Sequence, residues 1–133
     1  MTFTQTELRY LLGQPLGRLA TLGPGGPQVT PVAFWVDTAT HRIEVSGPNF
    51  GATQKVRNIR ADARVSFVVD DMATEPVGPG GQTGRGLEIR ARAELLVADQ
   101  PLREGFGNVL ARLHPRRILA WNLDGPGRNS RDV

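Results

Sequence analysis

Leu87-Glu88-Ile89-Arg90-Ala91-Arg92-Ala93-Glu94-Leu95 is the stretch that decides the fold. Leu87, Ile89, Ala91, Ala93 and Leu95 alternate with four charged residues. Period-two alternation places one face on a core and the other in water, the mark of a half-buried antiparallel strand. Just upstream, Arg64 to Asp70 repeats the pattern, with Val65, Phe67 and Val69 on one side. Between the two, Met72 to Gly86 is rich in Gly and Pro and reads as a mobile loop. Further back lie strands over Arg18–Leu22, Gln28–Val36 and Arg42–Ser46, set apart by turns at 23–27 and 37–40. Pro31 cannot donate to a ladder, so it marks an edge, a bulge or a position facing a ligand.

Downstream, Pro101 to Leu113 reads as a helix and Arg117 to Leu123 as a last strand containing Trp121. Residues 1–124 form one domain, and 125–133 read as a disordered tail. The first helix has a clear start. Thr4 with Glu7 makes a capping box, Phe3 and Leu8 a hydrophobic staple, and Leu8, Leu11 and Leu12 an apolar stripe. A second helix spans roughly Ala52 to Asp62, with Val56, Ile59 and Ala63 at helical spacing and Lys55, Arg57 and Asn58 on its other face. Six short, mostly antiparallel strands with few helices form a mainly β (α+β) fold, a closed or nearly closed barrel that removes exposed edges.

Composition narrows the function. The chain has 133 residues and no cysteine, which excludes thiolate metal sites and cysteine nucleophiles. Sixteen basic and thirteen acidic residues leave a net charge of +3. Lys55 is the only lysine, and the arginines are scattered among acids instead of forming a basic stripe, so nucleic acid is not the expected partner. No apolar run is long enough to span a membrane. Met1-Thr2-Phe3-Thr4 lacks the regions of a signal peptide, so a cytoplasmic protein is expected.

Three features could carry chemistry. Ser46, Gly47, Asn49 and Gly51 lead into a helix opened by Thr53, Gln54 and Lys55. Free amides at a helix start attract phosphate, and Lys55 and Arg57 add charge, although the spacing is not that of a P-loop. On the residues alone this is equally a glycine turn feeding a basic surface helix. Gln28 and Thr30 share one face of a strand beside Pro31, where they either face solvent or hydrogen-bond a flat ring. Trp121, beside Asn122, either packs or stacks on a ring. There is no Gly-x-Ser-x-Gly elbow. His41 and His114 read as solvated and form no metal cluster. Asp70 and Asp71 point to opposite faces of a strand, so they are no acid/base couple, and capping the following loop is the role left to them. With no nucleophile, no metal site and no evident proton donor, a cofactor is expected to carry the reaction.

Several segments, in order, resemble the pyridoxamine-5′-phosphate-oxidase-like split-barrel superfamily. They are Leu16-Gly17-Arg18-Leu19-Ala20-Thr21, Gly26-Pro27-Gln28-Val29-Thr30-Pro31-Val32, Lys55-Val56-Arg57-Asn58-Ile59-Arg60 and Arg64-Val65-Ser66-Phe67-Val68-Val69-Asp70-Asp71. Gly86 to Glu94 and Pro115-Arg116-Arg117-Ile118 extend the likeness, which is closest to the actinobacterial branch of F420-dependent reductases. The resemblance implies a six-stranded antiparallel Greek-key split β-barrel with flanking helices, of the flavin-reductase or FMN-binding type. It also implies a homodimer with cofactor sites at its interface. Gln28 and Thr30 would line the ring or ribityl side, Ser46 would contact the chain, and Lys55 would pair with the phosphate. Thr53 stands where some relatives carry a second basic residue. The implied activity is hydride transfer from reduced F420 to a small organic substrate. The alternatives are an FMN-dependent oxidoreductase, or a protein that binds and sequesters a cofactor without turnover.

Overall fold

The computed structural model describes residues 2–133. Helix α1 (Gln5–Leu12) is followed by strands β1 (Gly17–Gly23), β2 (Gly26–Asp37) and β3 (Arg42–Ser46). Helix α2 (Gln54–Ala61) precedes β4 (Arg64–Met72), β5 (Gly84–Val97), β6 (Val109–Trp121) and β7 (Arg128–Asp132). The order across the sheet is β3-β2-β1-β4-β5-β6-β7, all antiparallel. Pairing of Ile43 to Val45 with Ala111 to Leu113 closes strands β1 to β6 into a barrel and leaves β7 as an extra strand. The alternating residues read from the sequence fill it. Ile43, Val45, Phe67, Val69, Leu87 and Ile89 have no exposed surface. Val56 and Ile59 bring α2 onto this core.

Pro31 lies in the half of β2 that pairs with β1 alone, since pairing with β3 begins at Ala33, so the missing N–H falls at an open edge. The capping box of α1 is present in both directions, Glu7 N to Thr4 Oγ1 at 3.1 Å and Thr4 N to Glu7 Oε1 at 3.0 Å.

Three sequence expectations are corrected. Residues 101–113 are not a helix, because Val109 to Leu113 begin the long strand β6. A bulge hides this strand from pattern reading. Arg90 pairs with Arg117 but Ala91 with Pro115, so Arg116 is an extra residue. The inward positions therefore shift from Ala111 and Leu113 to Ile118 and Ala120, and the alternation changes phase mid-strand. Residues 128–132 are strand β7 and not a disordered tail. The segment from Met72 to Gly86 is, as expected, mostly loop, over residues 73–83, closed at its base where Asp71 and Met72 pair with Arg85 and Gly84 and Ala73 N donates to Thr83 O. Leu12 is exposed while Tyr10 and Glu7 are buried, because α1 docks through a face that includes polar atoms.

His41 is also buried, not solvated. Its Nδ1 accepts from Phe3 N at 2.9 Å and its ring stacks on Phe3. His114 meets Glu94 at 2.9 Å. Asp70 and Asp71 do face opposite ways, but each holds an arginine, Arg18 and Arg85 respectively, instead of capping a loop.

Candidate functional site

β3 ends at Ser46, and the chain turns through Pro48 and Asn49 into a single 3-10 turn at Phe50–Ala52. Asn49 takes a left-handed conformation (φ 51°) to make that turn, and its exposed side chain gives no cap. Thr53 then caps α2, accepting from Val56 N at 3.4 Å while its hydroxyl donates to Phe50 O at 2.7 Å. The opening amides of a helix have no intrahelical partner, so positive potential gathers at Gln54 and Lys55.

A cleft of about 250 Å3 opens here. Pro31, Ser46, Gly47, Thr53, Lys55 and Phe106 are on its wall. Among the described residues, Lys55 makes no hydrogen bond or ion pair. Its neighbours differ. Arg57 is bound back to its own helix start, to Gln54 Oε1 at 2.9 and 3.1 Å and to Ala52 O at 3.0 Å. Asn58 is buried and fully engaged. Its amide donates to Thr21 Oγ1 and Gln28 Oε1, both at 2.9 Å, and its carbonyl accepts from Gln54 Nε2 at 2.7 Å. Of the sequence candidates, Asn58 therefore clamps α2 to β1 and β2 with Gln54 behind it, while Arg57 folds back on its own helix start. Buried polar groups that meet all their partners in this way specify structure.

Ser46 is likewise buried, with its hydroxyl donating to Val109 O at 2.8 Å. It stitches the end of β3 to the start of β6. Gly107 N donates to Gly47 O at 3.2 Å and adds a second stitch from the loop between β5 and β6. That loop supplies Phe106, a wall residue absent from the sequence-based candidates because its segment reads as helix. Phe106 stands edge-on to Trp35, with ring centroids 5.9 Å apart, and Arg103 lies over its ring at 5.9 Å.

Gln28 and Thr30 are exposed on β2, running away from the cleft. Gln28 keeps its amide N–H groups free, since only its carbonyl meets Asn58. Trp121 is not brought to the Lys55 cleft. It lines separate clefts with Arg128 and Asn122 on β6 and the loop after it. Its indole sits over Gly86, where a Cβ would come within 2.2 Å of Cζ2, so only glycine leaves room for it.

The Tyr10–Asp71–Arg85 cluster lies apart from the cleft and is the strongest electrostatic feature elsewhere. Tyr10 Oη donates to Asp71 Oδ1 at 2.6 Å, and Arg85 holds both carboxylate oxygens at 2.8 and 3.0 Å. The Arg85 guanidinium pulls the Asp71 carboxyl down to about 2; burial opposes it and the Tyr10 hydroxyl assists. Burial, with Asp71 next, pushes the Tyr10 phenol well above its ordinary range. Among the described residues no group of His, Asp and Glu could hold a metal ion. No described helix is long and apolar enough to cross a membrane.

A barrel of this topology has known counterparts. The family model described as pyridoxamine 5′-phosphate oxidase matches residues 4–131. The chain belongs to the pyridoxamine 5′-phosphate oxidase family. That makes it a member of an oxidoreductase family. A curated relative within reach is the 5a,11a-dehydrotetracycline/5a,11a-dehydrooxytetracycline reductase of Streptomyces rimosus, 36% identical over 138 residues and covering 100% of this chain and 94% of the relative. Among solved structures, one described as an F420 reductase is 26% identical with a TM-score of 0.58, over 83% of this chain and 94% of that one. A FAD-binding protein of Mesorhizobium loti, 19% identical with a TM-score of 0.61 over 89% of this chain and 94% of its own, shares the fold.

Proposed function

We propose that the protein is an F420-dependent reductase that delivers a hydride to an electron-poor double bond of a flat organic substrate. The observation that carries this reading is the unpaired ammonium of Lys55 in a cleft at the start of α2. The 36% identity to a dehydrotetracycline reductase and the fold of an F420 reductase support the choice of chemistry. The family description and the FAD-binding neighbour favour FMN as the second reading.

The residues present fit such a group. At about 250 Å3 the cleft falls just below the range that encloses a whole drug-sized ligand, so it suits one end of an elongated one. Lys55 holds the phosphate, and the opening amides of α2 add their dipole. Gln28, through its free N–H groups, and the Thr30 hydroxyl orient the part that runs along β2. When bound, the reduced ring supplies the hydride. No side chain of the cleft is an acid, so the protein's part is to position the ring and exclude water while solvent supplies the proton.

Because one chain holds only an end of the ligand, a second copy completes the site. The outer faces of β1 and β2 suit that contact: Val29 is 63% exposed and Leu22 38% exposed beside Ala20. We expect a cytoplasmic homodimer, read by light scattering in solution; a monomer at micromolar concentration overturns it.

Fluorescence titration of the purified protein with F420 and with FMN tests the cofactor assignment. Tighter binding of F420 supports the deazaflavin reading, tighter FMN binding moves the protein to the flavin branch, and binding of neither removes both.

A further inference from the structure

The cleft has a charge deficit. A phosphate monoester carries about 1.5 to 2 negative charges at neutral pH. A phosphodiester with a carboxylate tail presents a second negative charge just beyond its phosphate. Lys55 supplies one positive charge, and Arg57, two residues on, is held by Gln54 and Ala52.

Elsewhere the chain's fifteen arginines divide between paired and unpaired. Seven sit on carboxylates, from Arg18 on Asp70 to Arg131 on Glu7. Arg103 is one of seven whose side chains have no ion pair or hydrogen bond among the described residues, and of these it is the one that lies over a wall residue of the Lys55 cleft. Among the described residues its side chain has no ion pair, not even with the adjacent Glu104. Its guanidinium rests only against the Phe106 ring, 5.9 Å from the centroid, and Phe106 is a wall of the Lys55 cleft. The loop is anchored to the cleft rim through Gly107 N and Gly47 O, with Phe106 braced by Trp35. A fixed aromatic wall with an uncommitted guanidinium on it keeps a cation near the cleft at small entropic cost.

We infer that Arg103 is the second cation of the anion site: it leaves the Phe106 ring to meet the second negative charge of the ligand that Lys55 holds. This inference rests on the proposed phosphate site, and it assigns a binding role to the loop between β5 and β6.

The test compares ligand pairs that differ in charged groups and share a ring: FMN with riboflavin, and F420 with its deazaflavin chromophore lacking phosphate and tail. Dissociation constants are measured by fluorescence for the unaltered protein, Arg103→Ala, Arg103→Lys and Lys55→Ala. Arg103→Ala is expected to reduce the preference for the charged member about five- to tenfold, as loss of one exposed charge-assisted contact implies. Affinity for the uncharged member should stay the same, and Arg103→Lys should restore part of the loss. If the FMN pair responds, the second charge read is that of the phosphate itself; if only the F420 pair does, it is the tail carboxylate. An unchanged preference in Arg103→Ala, with a collapsed one in Lys55→Ala, overturns the role of Arg103 and leaves the phosphate site standing. An unchanged preference in Lys55→Ala overturns the site on which the inference rests.

Discussion

The Lys55 cleft and the place where the two ends of the chain meet handle charge in opposite ways. At the latter, Arg131 of β7 grips the carboxylate of Glu7 on α1 at 2.6 and 2.9 Å, and also donates to Thr2 O at 2.7 Å. Glu7 has no exposed surface, so every lone pair that matters is met inside the protein. In the cleft, a cation of the same sign is left without a partner. Burial with a partner marks a structural charge, and partial burial without one marks a charge kept for something that arrives later. The Lys55-Val56-Arg57-Asn58 stretch sets an unpartnered charge beside a fully partnered buried amide within about one helical turn, and only hydrogen-bond geometry separates them.

The comparison can be broken most directly at Arg131. Arg131→Ala strands a buried carboxylate and should cost about 3 kcal/mol of stability, the lower end for breaking a buried pair because the arginine is partly exposed. Urea unfolding reads this, and cofactor affinity of the folded fraction should not move. Lys55→Ala should do the reverse. It should weaken F420 or FMN binding by ten- to a hundredfold, about 1.5–3 kcal/mol for a charge-assisted phosphate contact. Its unfolding midpoint should stay within about 0.5 kcal/mol of the unaltered protein, as for an ordinary surface substitution. If Lys55→Ala loses stability and not affinity, the cleft charge is structural after all.

Asn58→Ala sharpens the contrast inside α2. It leaves Thr21, Gln28 and Gln54 short of partners and should cost about 2 kcal/mol of stability. Any effect on ligand affinity should follow from loosening the helix and be smaller than that of Lys55→Ala. Tyr10→Phe should cost about 1 kcal/mol through the lost bond to Asp71. The Asp71 carboxyl is depressed in the folded state, so its contribution is complete above its ordinary 3.8 and is lost as pH falls toward about 2. Removing the Tyr10 hydroxyl raises that lower bound, so acid unfolding of Tyr10→Phe should begin at higher pH. An identical acid limb would show that Arg85 alone holds the carboxylate. The smallest effect is expected for Arg57→Ala, within about 0.5 kcal/mol for both stability and binding, since its contacts are exposed.

How much of this is legible in the sequence depends on whether local pattern and tertiary demand agree. They agree in β3, β4 and β5, where buried Ile43, Phe67 and Ile89 alternate with less buried neighbours, and at the Thr4–Glu7 cap, which is satisfied within four residues. They disagree in β6, where the bulge at Arg116 changes the phase of the alternation. They disagree again in β7, Arg-Asn-Ser-Arg-Asp, which has no apolar residue and is a strand only because β6 offers it an edge and Glu7 takes its arginine. At the cleft, Lys55, Pro31 and Gly47 come together as the motif suggests. Phe106 does not show in the sequence because its segment reads as helix, whereas in the fold it is a loop that carries the ring to the wall. Nor could residue type tell that Ser46 and Asn58 are occupied, since hydroxyl and amide groups serve ligands and backbones alike.

The bond between Arg131 and Glu7 also has a consequence in time. Its partners lie 124 positions apart, so Glu7 is made well before Arg131. At ribosomal speeds of about 5–20 residues per second, Glu7 waits on the order of ten seconds for its arginine. Over that interval α1 cannot dock without an unpaired carboxylate in the core. Helix α1 is therefore sealed onto the barrel by β7, and its docking is timed by translation through residue 131.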